Sequence, residues 1–154
     1  KGEFIAPVDD DVMNLSNKFQ DLINAIDDNS VLCYGNRRNY YPESNELSDD
    51  IKKPNWDPLE PNGWGIDNGQ FIYRSNVYNK TPIIFPKRAC DWVLAKSIKP
   101  LGDFKYVDKT VSIYQSHKNN RCHDESTKTK EINPFAFKEY FDEARFIIDY
   151  HTSY

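Results

Sequence analysis

Two histidines, an arginine, a thiol and two carboxylates fall within nine residues in His117-Lys118-Asn119-Asn120-Arg121-Cys122-His123-Asp124-Glu125. Metal-free cleavage of RNA needs a base for the 2′-hydroxyl proton, an acid for the leaving oxygen and a cation for the phosphate. His117, His123 and Arg121 are the residue types for those three roles. His117, Cys122, His123 and Asp124 also carry donor atoms that metals accept. Adjacent Cys and His side chains rarely point at one ion, however, and no second ligand pair at suitable spacing exists. No metal site and no cofactor are expected. The plainer account is a hydrophilic loop that holds two of the three histidines.

A second group is Arg37-Arg38 followed by Tyr40-Tyr41. Arginine beside tyrosine suits stacking on bases or bidentate contact with phosphate. No glycine-rich anion cradle accompanies the pair. The plainer reading is a turn after a strand, its tyrosines covering the core edge and its arginines answering the acids between 43 and 50.

The third group is the stretch Pro54-Asn55-Trp56-Asp57-Pro58-Leu59-Glu60-Pro61-Asn62-Gly63-Trp64-Gly65-Ile66-Asp67-Asn68-Gly69. Its prolines and glycines forbid a helix or a central strand. Trp56 and Trp64 therefore sit on irregular backbone, where an indole either staples a loop to the core or faces a partner. Asp57 and Glu60 beside them would suit a sugar, but carboxylates three residues apart on a loop do not face each other across a cleft. Nucleophilic triads find no support: Cys33 sits in an apolar run, where burial raises a thiol's pKa. No Gly-x-Ser-x-Gly, phosphate loop, dinucleotide fingerprint or His-Glu-x-x-His occurs.

The elements that must hold these groups are readable from periodicity. Asp9, Asp10 and Asp11 suit a helix start. Val12, Leu15, Phe19, Leu22, Ile23 and Ile26 then recur at helical spacing, predicting a helix over 11–27. Residues 31–34 read as a short buried strand, and 35–69 as a long irregular insertion with a short helix near 48–53. Residues 70–74 and 82–85 read as strands, possible partners across 75–80. Pro86 precedes a helix over 87–97 that Pro100-Leu101-Gly102 ends. Residues 104–107 and 110–114 alternate around Asp108-Lys109, which predicts a hairpin. A polar loop over 116–132 follows. Asn133 and Pro134 then open a helix carrying Phe137, Phe141, Ala144, Ile147 and Ile148 on one side, ending near Tyr150.

The expected architecture is a single α+β domain over 1–154, with an antiparallel sheet of four to five strands. An N-terminal, a middle and a C-terminal helix pack on it. With 154 residues and 14% aromatic content, the chain has the supply of large rings that disordered chains lack. Net charge is −4, split unevenly: residues 1–77 hold 7 basic and 14 acidic side chains (net −7), residues 78–154 hold 13 and 10 (net +3). That balance disfavours nucleic acid as the default partner. No apolar run is long enough to cross a membrane. Three cysteines, an odd number without metal or redox spacing, favour a cytoplasmic over a secreted setting.

The sequence thus reads as a macromolecule-binding domain, a protein-interaction or inhibitor/immunity-type module, rather than an enzyme. Trp56, Trp64, Tyr40 and Tyr41 would anchor a partner protein, with Arg37, Arg38, Asp57 and Glu60 beside them. The alternative is a metal-independent, ribonuclease-like enzyme acting on RNA through His117, Arg121 and His123. A structural subunit of a larger assembly is the third possibility.

Overall fold

The computed structural model describes residues 2–48, 66–80 and 90–117. Strands β1 (Phe4–Ile5) and β2 (Val12–Asn14) lead into helix α1 (Lys18–Ala25). Strand β3 (Ser30–Tyr41) turns back into β4 (Glu46–Leu47). Strand β5 (Phe71–Arg74), helix α2 (Cys90–Ile98) and strand β6 (Asp103–Gln115) complete the described elements. Short 3-10 turns occupy Asn68–Gln70, Ser75–Asn79 and Lys99–Leu101.

All six strands join one sheet in the order β1-β5-β3-β6-β2, with β4 paired to β3. Strands β3 and β6 run parallel; every other pair is antiparallel. A parallel pair cannot be closed by a tight turn and needs a crossover, and α2 lies within the one that connects β3 to β6. Among the described residues the sheet is therefore mixed and six-stranded, not the antiparallel sheet of four to five strands expected. Two α-helices lie among the described residues, against the three expected; the helix read over 133–150 falls outside them. The strand at 82–85 and most of the helix near 48–53 also fall outside.

Both faces of the sheet are used, because strand side chains alternate. Leu32, Tyr34, Phe71 and Tyr73 meet Leu94 and Ile98 of α2 on one face. Cys33, Ile72 and Val111 meet Leu22 of α1 on the other, with Ala25, Ile26 and Val107 packed around them. Burying one leucine such as Leu22 stabilises the fold by about 1.5–3 kcal/mol. The Lys99–Leu101 turn, with Pro100 inside it, ends α2. At Gly102 a Cβ would lie 2.7 Å from Val31 Cγ1 and 2.8 Å from Asn29 O, so only glycine lets β6 start this close to β3.

Four sequence expectations are corrected. The helix over 11–27 is shorter, because Val12, Met13 and Asn14 pair with Tyr114, Ile113 and Ser112 instead of winding. The strand at 31–34 continues to Tyr41, so the first part of the 35–69 insertion belongs to the sheet. Residues 75–79 wind into a 3-10 turn, and β5 pairs with β1 and β3 instead of closing a hairpin there. The hairpin at Asp108-Lys109 is one continuous strand with a bulge: Tyr34 pairs with Tyr106, but Asn36 pairs with Thr110, so β6 spends two extra residues there.

Candidate functional site

The distal half of β3 carries the sequence's second candidate group, and strand alternation divides it. Arg38 pairs with Ile113 and Tyr40 with Gln115. Strand β6 gains a residue between the partners of Asn36 and Arg37 while β3 keeps its alternation, so Arg38 and Tyr40 share the α2 side of the sheet with Tyr34 and Asn36. Arg37 and Asn39 pair with Ser112 and Tyr114 on the opposite side. Tyr41 shares that side, since Asn39 Nδ2 reaches its hydroxyl at 3.5 Å. The two neighbouring arginines therefore serve different faces, as do the two tyrosines.

On the Arg37 side the sheet is covered. The guanidinium forms an ion pair with Asp67 and lies 4.9 Å from the centroid of the Tyr114 ring. The Asn68–Gln70 turn that follows Asp67 sits close on β2: a Cβ on Gly69 would come within 2.4 Å of Val12 Cγ1. Asn68 Nδ2 donates to Asp9 Oδ1 at 3.1 Å, and Gln70 Nε2 donates to the buried Gly35 carbonyl at 2.8 Å. Desolvation raises the Asp9 carboxyl, an effect the Asn68 hydrogen bond opposes and the neighbouring Asp11 and Asp10 charges reinforce. Close by, Lys18 is fully buried, its ammonium donating to Asn14 Oδ1 at 2.7 Å. Burial lowers that ammonium to about 8, and Asp9 offsets the effect only in part. A cation held between a carboxylate and a ring is well positioned but already neutralised, which fits a structural clasp on the sheet.

On the α2 side at the same end lie two adjacent cross-strand rows, Leu47–Tyr40–Gln115 and Met13–Ile113–Arg38. Met13 is 64% exposed, Leu47 40% and Tyr41, on the hairpin's other side, 39%. Phe19 and Ile23, one turn apart on α1, are exposed as well. The β3–β4 hairpin closes through Pro42–Asn45, where Asn45 adopts φ 56°, a left-handed conformation that Asn tolerates. Tyr40 donates its hydroxyl to Asn45 Oδ1 at 3.0 Å, and Arg38 Nε donates to the Ser48 carbonyl, so both side chains are held along the hairpin.

His117 follows this end directly: Ser116 N–H donates to the Tyr40 carbonyl at 2.8 Å. Arg121 and His123 lie outside the described residues, as do Trp56, Trp64, Asp57 and Glu60. Among the described residues, no three His, Cys, Asp or Glu side chains gather as a metal site would need. None of the described helices is long and apolar enough to cross a membrane. No protein-family model matches the chain and no curated protein is significantly similar to it, so geometry alone carries the functional reading.

Met13, Leu47 and Ile113 were missed by the sequence reading. The signal lay in the strand period: once 36–41 is extended, Tyr40 and Leu47 flank a Pro-Glu-Ser-Asn turn as facing hairpin partners.

Proposed function

We propose that this chain is a macromolecule-binding domain that contacts another protein through the distal end of β3 and its hairpin with β4. The observation that carries the reading is the display of Tyr41 and Leu47 at 39% and 40% exposure on ordered backbone. Aromatic and aliphatic anchors fixed on a hairpin lose little conformational freedom on binding. The exposed carboxylates of Glu43 and Glu46 on the same hairpin would steer a basic partner. Trp56 and Trp64 belong to this reading as further anchors, and an inhibitor or immunity-type role suits such a module.

The test is a paired substitution, Tyr41→Ser with Leu47→Ser. A partner recovered by crosslinking in native extract should bind the variant at least tenfold more weakly, with the melting temperature within about 2 °C of the parent, since surface changes cost little. Unchanged recovery would remove the hairpin from the interface.

The ribonuclease-like alternative keeps one supporting observation: the Ser116–Tyr40 hydrogen bond puts His117 next to the strand end that carries Arg38 and Tyr40. It requires cleavage of labelled RNA with a bell-shaped pH profile. RNA left intact from pH 5 to pH 8 dismisses it.

A further inference from the structure

We infer that the outer edge of β2 is a docking site for an extended, basic segment of a protein partner, which adds a strand to the sheet there. The inference rests on the protein-binding reading above but uses the opposite edge of the sheet from the hairpin.

At its distal end the sheet has the order β4-β3-β6-β2, so β4 and β2 are its two edges there. The ladder between β2 and β6 fixes which way each peptide group of β2 points. Gln115 N–H donates to the Asp11 carbonyl at 2.8 Å, and Leu15 N–H to the Val111 carbonyl at 3.0 Å. In an antiparallel pair such hydrogen-bonded positions recur at every second residue, which puts Met13 and Ile113 in the same set. Val12 and Asn14 lie between those positions, and their peptide groups point away from β6. The Val12 N–H is taken by the Asp9 carbonyl at 3.3 Å. The Asn14 N–H and the carbonyls of Val12 and Asn14 remain, and among the described residues no strand lies beyond β2 to receive them. Donors and acceptors at this spacing match the backbone of another strand, whatever its side chains.

Side chains select the segment. Sheet edges are commonly closed by lysine, proline or a bulge, and Val12-Met13-Asn14 has none of these. Met13 is 64% exposed beside its partner Ile113, so an apolar residue in the added strand would extend the row Arg38–Ile113–Met13. Asp9, Asp10 and Asp11 lead straight into β2. Residues 2–28 hold seven carboxylates and a single cation, Lys18, which is buried. Lysine or arginine flanking the apolar residue meets that charge favourably, whereas a second copy of this chain brings the same three aspartates and is repelled.

The experiment uses the full chain and three short synthetic peptides, followed by residue-resolved NMR. One peptide alternates lysine with valine, the second alternates glutamate with valine, and the third is the lysine peptide N-methylated at every amide. The lysine peptide should bind, weaken with salt and slow hydrogen exchange of the Asn14 amide at least tenfold. The glutamate peptide should bind at least tenfold more weakly, and the N-methylated peptide, which has no backbone donors, should leave Asn14 unprotected. Tyr41→Ser with Leu47→Ser should leave this binding unchanged, so that the edge and the hairpin are read by separate measurements. Loss of binding in that variant, or protection of the hairpin amides in place of Asn14, would move the site to the hairpin: the hairpin reading would stand and the edge would be overturned. No binding of any peptide overturns the inference, as does equal binding of the lysine and glutamate peptides or of the N-methylated one. Protection of Asn14 that rises with protein concentration without peptide would make the occupant a second copy and overturn it too.

Discussion

Asn36 Nδ2 donates to Asp108 Oδ1 at 3.0 Å across the point where β3 and β6 fall out of step. Asn36 is 2% exposed, and its side-chain carbonyl lies 2.9 Å from the Tyr106 hydroxyl, which is also 2.7 Å from Asp108 Oδ1. The bonds run between side chains, so the trio ties β3 to β6 across the bulge and gives the buried Asn36 amide its partners. Burial, aided by the hydrogen bond to Asp108, holds the Tyr106 phenol above its usual range.

Replacing Asn36 by Ala should therefore destabilise the protein by about 0.5–1.5 kcal/mol per hydrogen bond lost, since Tyr106 and the exposed Asp108 keep each other as partners. Urea denaturation measures it. A double-mutant cycle with Tyr106→Phe should show a coupling of at least about 0.5 kcal/mol. Strict additivity would mean that the trio does not act as a unit.

Gly35 lies just before the bulge, and a Cβ there would meet Val111 Cγ1 at 2.7 Å and the Lys109 carbonyl at 2.8 Å. Backbone on one side and a buried valine on the other leave little room to yield. Gly35→Ala should cost about 1–3 kcal/mol through overpacking, while Gly35→Ala with Val111→Ala should recover part of the loss. A neutral Gly35→Ala in thermal melts would show that the two strands can part freely.

Lys18 gives the fold a pH dependence on the alkaline side. Its ammonium titrates near 8 in the folded chain against an ordinary 10.5. Between those values the unfolded chain still holds a proton that the folded chain has released, so raising the pH through this window stabilises the fold. Below pH 8 the cost of the buried charge is fully present. Lys18→Met removes that cost and should be more stable than the parent at pH 7 by up to a few kcal/mol, less what Asn14 loses with its donor. The advantage should shrink as pH approaches 10. A constant difference between pH 7 and pH 10 in urea midpoints would contradict the assignment.

Cys33 is fully buried, and burial pushes its thiol up to about 12. In native protein at pH 8 the Cys33 peptide should remain unmodified by iodoacetamide, as mapped by mass spectrometry, and become fully labelled in urea. Rapid native labelling would show that the sheet opens at its centre.

Local patterns were legible wherever burial alone decides them. Leu22 of α1, Ile26 at its C-cap and the α2 stop at Pro100 all follow from spacing and backbone chemistry. What escaped depends on pairing between distant residues. Val12 and Leu15 keep helical spacing with Phe19, yet Met13 finds Ile113 across the sheet and strand geometry wins. Asn36-Arg37-Arg38-Asn39 looks like a loop because its side chains are polar. Each is accommodated in a strand because the structure supplies a partner: Asp108 for Asn36, Asp67 for Arg37, Ser48 for Arg38 and Tyr41 for Asn39. Asp108-Lys109 has turn chemistry and does break the ladder, but as a bulge, since the chain's other end supplies a parallel neighbour. The cross-strand rows were invisible for the same reason: Met13, Tyr40 and Leu47 become neighbours only through β6 and the hairpin.

The order of strands also dictates when this protein can take shape during synthesis. Strand β1 waits for β5 and strand β2 for β6, so both of the earliest segments have partners made dozens of residues later. The central strand β3 likewise lacks one whole neighbour until Gln115 has left the ribosome. Nascent chains shorter than that expose the row Val31–Tyr34 to whatever is nearby, which makes this domain a natural client for early chaperone protection.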